Sequence, residues 1–210
     1  MVPMRLPLEK LYPIAEDQAG YVTAAQAAAA GVPHTQLLHS TAQGRLERVS
    51  RGVYRLTQFP VDEHADYHEA VLWPQLRRTV PAVISHASAL VLYGMSEVRQ
   101  AAIDVTVPPD VRIRRAVPAR ILLHRAALTP AEITVHEGLP VTTPARAIRD
   151  AAATGLSTSL VRQAVIDGSQ RGLLTLGTAH RLAHDLLGEA VVVDQAGLVA
   201  RVIPSAVPER

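Results

Sequence analysis

The N-terminal part of the chain shows three helical patterns of apolar residues in succession. Residues Leu8 to Asp17 place their apolar side chains on one face, which predicts a short first helix. Thr23 is a favourable N-cap for the Ala-rich run Ala24 to Ala30, and Gly31 suits the end of that helix. Residues His34 to Gln43 predict a third helix.

Alternation of apolar and polar residues then replaces the helical pattern. Leu46 to Val49 and Val53 to Thr57 alternate around the turn Ser50-Arg51-Gly52, which predicts a β-hairpin. Two helices, a tight turn, a third helix and a hairpin follow the order of a winged helix-turn-helix. We therefore expect a winged helix-turn-helix DNA-binding domain over residues 1–59.

The third helix carries the side chains expected to contact DNA bases. Leu37 and Leu38 are predicted to face the core. The outward side chains are short to medium polar groups, which reach base edges or phosphates. They are His34, Thr35, Gln36, His39, Ser40 and Gln43.

The charge around the hairpin supports this interpretation. The formal net charge of the chain is only +2, but the hairpin segment sets four arginines against a single glutamate, a local charge of +3. Arg45, Arg48, Arg51 and Arg55 are the candidate phosphate contacts, because such contacts supply most of the non-specific affinity for DNA. The alternative is a protein-binding winged module in which these arginines form a solvated face.

The remainder, residues 60–210, has the patterns of a mixed α/β domain. The predicted helices are Asp62 to Arg78, His86 to Leu92, Thr143 to Thr154, Ser157 to Asp167 and Thr178 to Leu187. The predicted strands are Ile103 to Val107, Arg120 to His124, Glu132 to Glu137 and Val191 to Val193. The expected fold class is α+β, with an N-terminal winged helix-turn-helix followed by a mixed α/β domain.

Composition argues against several kinds of site. The chain has no cysteine and Lys10 is its single lysine, which removes thiolate nucleophiles, Cys-ligated zinc and most lysine-dependent chemistry. Aromatic residues make up only 3%, so few are available to stack on single-stranded nucleic acid. The chain shows no signal-peptide pattern and no apolar run long enough to span a membrane, and we expect a cytoplasmic protein.

Several motifs occur in an order that resembles a known family. They are SRGVYRL, ISHASALVLYGM (Ile84 to Met95), IDVTVP, ILLHR and GLPVTTPARAIRDAAA (Gly138 to Ala153). In this order, over about residues 8 to 155, they resemble the AbiEi antitoxin family of type IV toxin–antitoxin systems, which belong to abortive infection and phage defence.

The resemblance implies a function as well as a fold. Members of that family bind inverted repeats in their own promoter, repress the operon and counteract a neighbouring nucleotidyltransferase-like toxin. The resemblance thus implies double-stranded promoter DNA and such a toxin as partners, and a C-terminal antitoxin domain over residues 60–210. The alternative is a stand-alone winged-helix transcriptional regulator of the same build, without a toxin partner.

A second group of arginines lies in the middle of the chain. Its members are Arg112, Arg114, Arg115, Arg120 and Arg125. They fit a second DNA contact, a surface that faces an acidic toxin, or a solvated loop that protects a sheet edge. Farther along, Arg146 and Asp150 are four residues apart on a predicted helix, and we expect them to form an intrahelical pair.

An enzymatic function is a third hypothesis. His64 and His68, like His180 and His184, are four residues apart and fit a shared metal ion, and Asp104 fits a nuclease-like carboxylate. The chain has no HExxH motif, no Gly-rich phosphate loop and no GxSxG motif, and no lysine lies near Asp104. We therefore expect no enzyme, no cofactor and no metal, and a metal-dependent hydrolase is the least favoured of the three hypotheses.

Overall fold

The computed structural model describes residues 7–61, 63–75, 82–98 and 100–204. The α-helices are α1 Tyr12–Glu16, α2 Ala24–Ala29, α3 His34–Ala42, α4 Ala65–Leu72, α5 His86–Leu92, α6 Pro144–Ala153, α7 Thr158–Gln170 and α8 Leu176–Leu187. The strands are β1 Tyr21–Thr23, β2 Leu46–Ser50, β3 Val53–Leu56, β4 Val83–Ile84, β5 Ile103–Val107, β6 Ile121–Arg125, β7 Ile133–His136, β8 Leu139–Thr142, β9 Glu189–Val193 and β10 Val199–Pro204. Short 3-10 turns lie at Pro7–Lys10, Trp73–Gln75 and Pro130–Glu132.

The helices predicted near the N-terminus are confirmed. The hydroxyl of Thr23 accepts a hydrogen bond from the backbone N–H of Gln26 at 3.1 Å, and the Gln26 side chain accepts one from the backbone N–H of Thr23 at 2.8 Å. This reciprocal pair satisfies N–H groups that the start of α2 leaves open. Gly31 then takes a φ of +76°, a left-handed conformation that favours glycine, and the chain turns into α3.

The predicted hairpin is confirmed and belongs to a three-stranded sheet. β2 and β3 are antiparallel, and Gly52 in the turn between them has a φ of +82°. β1, which the sequence pattern did not predict, pairs antiparallel with β3 and gives the strand order β1-β3-β2. β3 is therefore the central strand, and all of its residues are buried.

Helices cover both faces of this sheet. Successive residues of a strand point to opposite faces. Tyr54 of β3 packs in a cluster with Leu37 of α3 on one face, and Val53 packs in a second cluster with Leu72 of α4 on the other. The hairpin sheet is thus enclosed between α3 and α4.

The chain divides into two compact units. The first comprises Met1–Val83, Val105–Leu128 and Val135–Pro140, and the second comprises Ile84–Asp104, Thr129–Thr134 and Val141–Arg210. The helix predicted over Asp62 to Arg78 is observed as α4 and the turn Trp73–Gln75, and Asp62 and residues 76–78 lie outside the described residues. α4 belongs to the first unit, with the N-terminal elements. The domain limits 1–59 and 60–210 stay a prediction.

A five-stranded sheet has the order β6-β5-β4-β8-β7. β4 and β8 run parallel, with Ile84 opposite Val141. β5, β6 and β7 confirm the three strands predicted for this part of the chain, with small differences at their ends. The sequence pattern did not predict the short strands β4 and β8.

The C-terminal helices and strands complete the fold. α7 and α8 confirm the two predicted helices, and β9 pairs antiparallel with β10, which was not predicted. The described residues therefore form a mixed structure of helices and sheets, as the expected fold class requires. No helix in the described ranges combines the length and the apolar character needed to cross a bilayer.

Candidate nucleic-acid interface

α3 presents one continuous exposed face. His34, Thr35, Leu38, His39 and Ala42 are all exposed. Their spacing follows the helical repeat, so these side chains lie along one side of the helix. The helix contains no acidic residue. This face is suited to a negatively charged, hydrogen-bonding surface such as DNA.

Two of the orientations predicted for α3 are wrong. Leu37 is 1% exposed as expected, but Leu38, which was predicted to face the core, is 47% exposed. Ser40, which was predicted to face outward, is 1% exposed, and its hydroxyl has no hydrogen-bond partner among the described residues. A helix turns by about 100° per residue, so burying Leu37 against the sheet brings Ser40 inward and turns Leu38 out. The helical spacing of Leu38 from His34, Thr35 and Ala42 could have predicted that Leu38 faces outward with them.

The remaining predicted side chains of this helix are accessible to different degrees. Gln36 is half-buried, and Gln43 is exposed at the C-terminal end. The amide nitrogen of Gln43 donates to the ring Nε2 of His39 at 2.7 Å. This bond holds two side chains that are able to hydrogen-bond to base edges next to each other.

Three arginines in or next to the hairpin are exposed, and in the described ranges no bonded carboxylate offsets their charge. They are Arg45, between α3 and β2, Arg48 on β2, and Arg51 in the turn. Within the described ranges, none of the three has a carboxylate partner. Unpaired guanidinium groups are free to contact phosphate oxygens.

Arg55 differs from these three because it is buried and its guanidinium is bonded to other groups of the protein. It is 9% exposed and bonds Glu47 through Nη2 at 2.7 Å and Nε at 3.2 Å. Its Nη1 also donates to the carbonyl oxygen of Phe59 at 2.7 Å. Arg55 lies on the central strand, so its side chain is enclosed between neighbouring elements. We therefore leave Arg55 out of the proposed contact surface, although the sequence had included it.

The register of the hairpin places Arg48 on the same face as α3. Arg48 lies opposite Tyr54, which belongs to the cluster that contains Leu37 of α3. Residues opposite each other on neighbouring strands point to the same face. The cation on β2 and the exposed side of α3 thus contribute to one surface of the first unit.

The second group of arginines also divides into residues bonded to other parts of the protein and residues without a carboxylate partner in the described ranges. Arg115 lies over the ring of Trp73, 3.9 Å from its centroid, and donates to the carbonyl oxygen of Trp73. Arg120 pairs with Glu69, whose side chain is 3% exposed. The other three, Arg112, Arg114 and Arg125, are exposed and have no carboxylate partner in the described part of the chain.

Arg146, at the end of the GLPVTTPAR block, has a structural role in the second unit. Arg146 donates to Asp150 at 2.8 Å, which confirms the predicted pair, and to Glu132 at 2.7 Å. The carboxylate of Glu132 also accepts from the backbone N–H of Thr129 at 2.9 Å. These bonds, that from Thr129 first and that from Arg146 next, lower the pKa of Glu132 to about 2.

The SHASALVLYG block packs against the same region. α5 packs on α6, and the hydroxyl of Tyr93 donates to the carbonyl oxygen of Thr142 at 2.9 Å. Burial raises the pKa of Tyr93 to about 12, because the charged phenolate would lose its hydration. The two blocks that carry most of the resemblance in this part of the chain are thus joined within one core.

Asp104, which the sequence offered as a nuclease-like carboxylate, is bonded to the start of α5. It is 7% exposed and accepts hydrogen bonds from the backbone N–H of Ser88 at 3.3 Å and from the amide of Gln100 at 2.9 Å. Its own backbone N–H donates to the Ser88 hydroxyl at 2.7 Å. The carboxylate therefore holds the start of α5 in place, since it binds an N–H group in the first turn.

The histidine pairs whose spacing fits a shared metal ion have other neighbours. The ring of His68 stacks on Tyr21, with centroids 5.4 Å apart, and His64 meets the edge of Tyr67. His180 and His184 are exposed on α8, where His184 lies 3.3 Å from Asp185. Among the residues that the structure describes, no three His, Asp or Glu side chains are grouped to hold a metal ion.

Comparison with known proteins found a family match in the N-terminal segment. Residues 9–57 match the model of a family described as transcriptional regulator, AbiEi antitoxin. The match confirms the resemblance for this segment, which contains α3 and the hairpin, and the family is one of regulators and not of enzymes. A crystal structure of the RV2827C protein from Mycobacterium tuberculosis matches with a TM-score of 0.42 and 14% identity, over 84% of this chain and 80% of that chain. No curated protein matches the chain.

Proposed function

We propose that this protein, whose residues 9–57 match the AbiEi-type regulators, is a DNA-binding autorepressor and the antitoxin of a type IV toxin–antitoxin pair. It binds inverted repeats in its own promoter through a winged helix-turn-helix, in which α3 enters the major groove and the hairpin is the wing. It acts in the cytoplasm and counteracts a nucleotidyltransferase-like toxin by means of its C-terminal domain.

One observation supports the DNA-binding half above all others. Glu47, the acidic residue of the hairpin, is bonded to the buried Arg55, so it does not neutralise the exposed arginines. Arg45, Arg48 and Arg51 are left as a cationic edge next to the exposed polar face of α3. Phosphate contacts position a protein on the duplex, and side chains in the major groove read the bases. The surface carries side chains suited to both kinds of contact, which supports the proposal.

The test is binding to the DNA upstream of the gene, against a scrambled duplex, at several salt concentrations. We expect tighter, salt-dependent binding to the upstream DNA. Arg51→Ala should weaken binding to every sequence and reduce the slope of log affinity against log salt by about 0.9, the value for one lost phosphate contact. Thr35→Ala should leave the slope unchanged and alter the sequence preference. A folded protein without preference for the upstream DNA would overturn autorepression.

The antitoxin half needs a separate test. A nucleotidyltransferase-like reading frame beside the gene, whose product arrests growth unless this protein is co-expressed, is the expected result. If the neighbouring genes encode no such toxin but promoter binding holds, the protein is a stand-alone winged-helix regulator. The full-length Arg51→Ala variant, which is weakened in DNA binding, should retain neutralisation.

A further inference from the structure

Residues 111–115 form a segment of the first unit without helix or strand, in which burial alternates from residue to residue. We call this segment the arginine strap. Its odd-numbered residues are half-buried, whereas Arg112 and Arg114 are exposed. Alternation of this kind is typical of an extended chain laid on a surface, with every second side chain directed outward. The strap therefore presents its two arginines to the solvent side by side.

Contacts that follow the outward arginines along the chain hold the strap in place. At its end, Arg115 stacks on Trp73 at 3.9 Å and bonds the carbonyl oxygen of the same residue. Five residues later, Arg120 pairs with the buried carboxylate of Glu69. Trp73 and Glu69 are one helical turn apart at the C-terminal end of α4. Arg115 and Arg120 thus act as anchors, which leaves Arg112 and Arg114 as the available cations.

The anchoring helix α4 is itself packed on the hairpin sheet. His68 stacks on Tyr21 of β1, and Leu72 packs with Val53 of β3. α3 covers the opposite face of the same sheet, through Leu37. The layers of the first unit are therefore, in spatial order, α3, the hairpin sheet, α4 and the strap.

We propose that the arginine strap is a second phosphate-binding site, in which Arg112 and Arg114 contact the DNA backbone beyond the hairpin, on the flank away from α3. This inference rests on the proposed DNA-binding function. This proposal requires a duplex that runs from α3 past the hairpin toward the side of the sheet that carries the strap. Two adjacent guanidinium groups without a carboxylate partner in the described ranges suit phosphate oxygens. Such contacts add affinity and register without reading sequence.

DNA is favoured over an acidic protein surface because of where the strap is anchored. Arg115 and Arg120 both bind residues at the C-terminal end of α4. α4 in turn packs on the hairpin that carries Arg48 and Arg51. The unpaired arginines of the strap and of the hairpin thus belong to the same compact unit. A toxin-binding role for the strap is an alternative that the experiment below is able to detect.

The experiment uses the full-length protein and a duplex that it enriches from a random-sequence library. The duplex is prepared with no flank, with a flank of about 10 base pairs on one side, and with the same flank on the other side, one helical turn each. Affinity and salt dependence are measured for the wild type and for Arg112→Ala/Arg114→Ala. Arg181→Ala/Arg201→Ala is the matched control, since it removes two exposed cations from the second unit.

We expect one of the two flanks to increase wild-type affinity about tenfold, and the strap variant to lose that gain. On the extended duplex the salt slope of the variant should fall by about 1.8, for two phosphate contacts. The unflanked duplex should bind both proteins equally, and the control variant should behave as the wild type. Arg112→Lys/Arg114→Lys should restore most of the slope, because lysine still supplies a point charge to a phosphate.

Each failure has a distinct pattern. If no duplex is enriched, the proposed DNA-binding function fails, and this inference fails with it. If a duplex is enriched but the strap variant binds the flanked form as the wild type does, the second site is overturned while the proposed function stands. If the variant retains DNA binding and loses neutralisation of a co-expressed nucleotidyltransferase-like toxin, the strap is a toxin contact and the DNA role is overturned.

Discussion

The guanidinium of Arg55 binds the carboxylate of Glu47 across the hairpin, with Nη2 2.7 Å from Oε2. Arg55 lies on the central strand and is 9% exposed. The pair therefore separates the four arginines of this segment into one that stabilises the sheet and three that face the solvent. Substitution of Arg55 should therefore change stability but not DNA binding, and substitution of an exposed arginine should do the reverse.

Arg55→Ala should lower the free energy of unfolding by about 1–2 kcal/mol, because the guanidinium loses its bonds to the partly exposed Glu47 and to the carbonyl oxygen of Phe59. The salt slope for DNA binding of the folded protein should stay the same. Chemical denaturation and binding titrations check the two statements. Arg48→Ala is the control, with unchanged stability and a slope lower by about 0.9. A lower slope for Arg55→Ala would show that its side chain reaches a phosphate.

Leu38 is the large apolar side chain on the exposed face of α3, at 47% exposure. In the major groove an apolar side chain recognises the methyl group of thymine. We expect at least one thymine in the bound site whose replacement by deoxyuridine weakens wild-type binding about fourfold, as loss of about 0.8 kcal/mol for one methyl group implies.

The same duplexes measured with Leu38→Ala provide the control for that prediction. The variant should be insensitive to the thymine-to-deoxyuridine change at the position to which the wild type responds. Its melting temperature should match the wild type, because Leu38 adds little to the core. Equal sensitivity of both proteins at every thymine would exclude this contact.

Ser40 was expected to contact DNA, but its hydroxyl is buried and has no partner among the described residues. Ser40→Ala removes a polar group that lost its hydration on folding, and alanine also favours the helix. We expect the free energy of unfolding to rise by about 0.5–1.5 kcal/mol. Sequence preference, measured by selection from a random library, should not change. An altered preference would mean that α3 exposes Ser40 when it binds DNA.

Glu132 links Thr129 and Arg146 in the second unit, and its pKa is lowered from 4.5 to about 2. A carboxyl whose pKa is lower in the folded protein than in the unfolded chain stabilises the fold at pH values above the unfolded pKa. Glu132→Gln should therefore reduce stability at pH 7 by about 0.5–1.5 kcal/mol. The difference should shrink as the pH falls from 4.5 toward 2. Denaturation of both proteins across this pH range is the measurement, and a constant difference would contradict the assignment.

Local chemistry determined the features that the sequence predicted well. Thr23 and Gln26 form their capping box within four residues, and Gly52 supplies the positive φ of the hairpin turn. The pair Arg146 and Asp150 depends only on the helical repeat. Each of these features involves residues close in sequence, so the pattern of residue types contains the information needed to predict it.

Features that join distant segments were not predictable in the same way. β1 has only three residues, and its pairing with β3 depends on a contact across more than thirty residues. That pairing makes β3 central and buries Arg55, which the local pattern had assigned to the surface. The burial of α3 against α2 and β2 likewise decided that Ser40 is inside and Leu38 outside.

The sequence by itself thus determined the order of helices and hairpin, the cationic character of the hairpin and the family of residues 9–57, because capping, turn chemistry and charge are local properties. Only the tertiary structure decided which arginines are free. Arg55, Arg115 and Arg120 are held by Glu47, Trp73 and Glu69, and an ion pair or ring stack removes a cation from the surface when folding brings its partner to it.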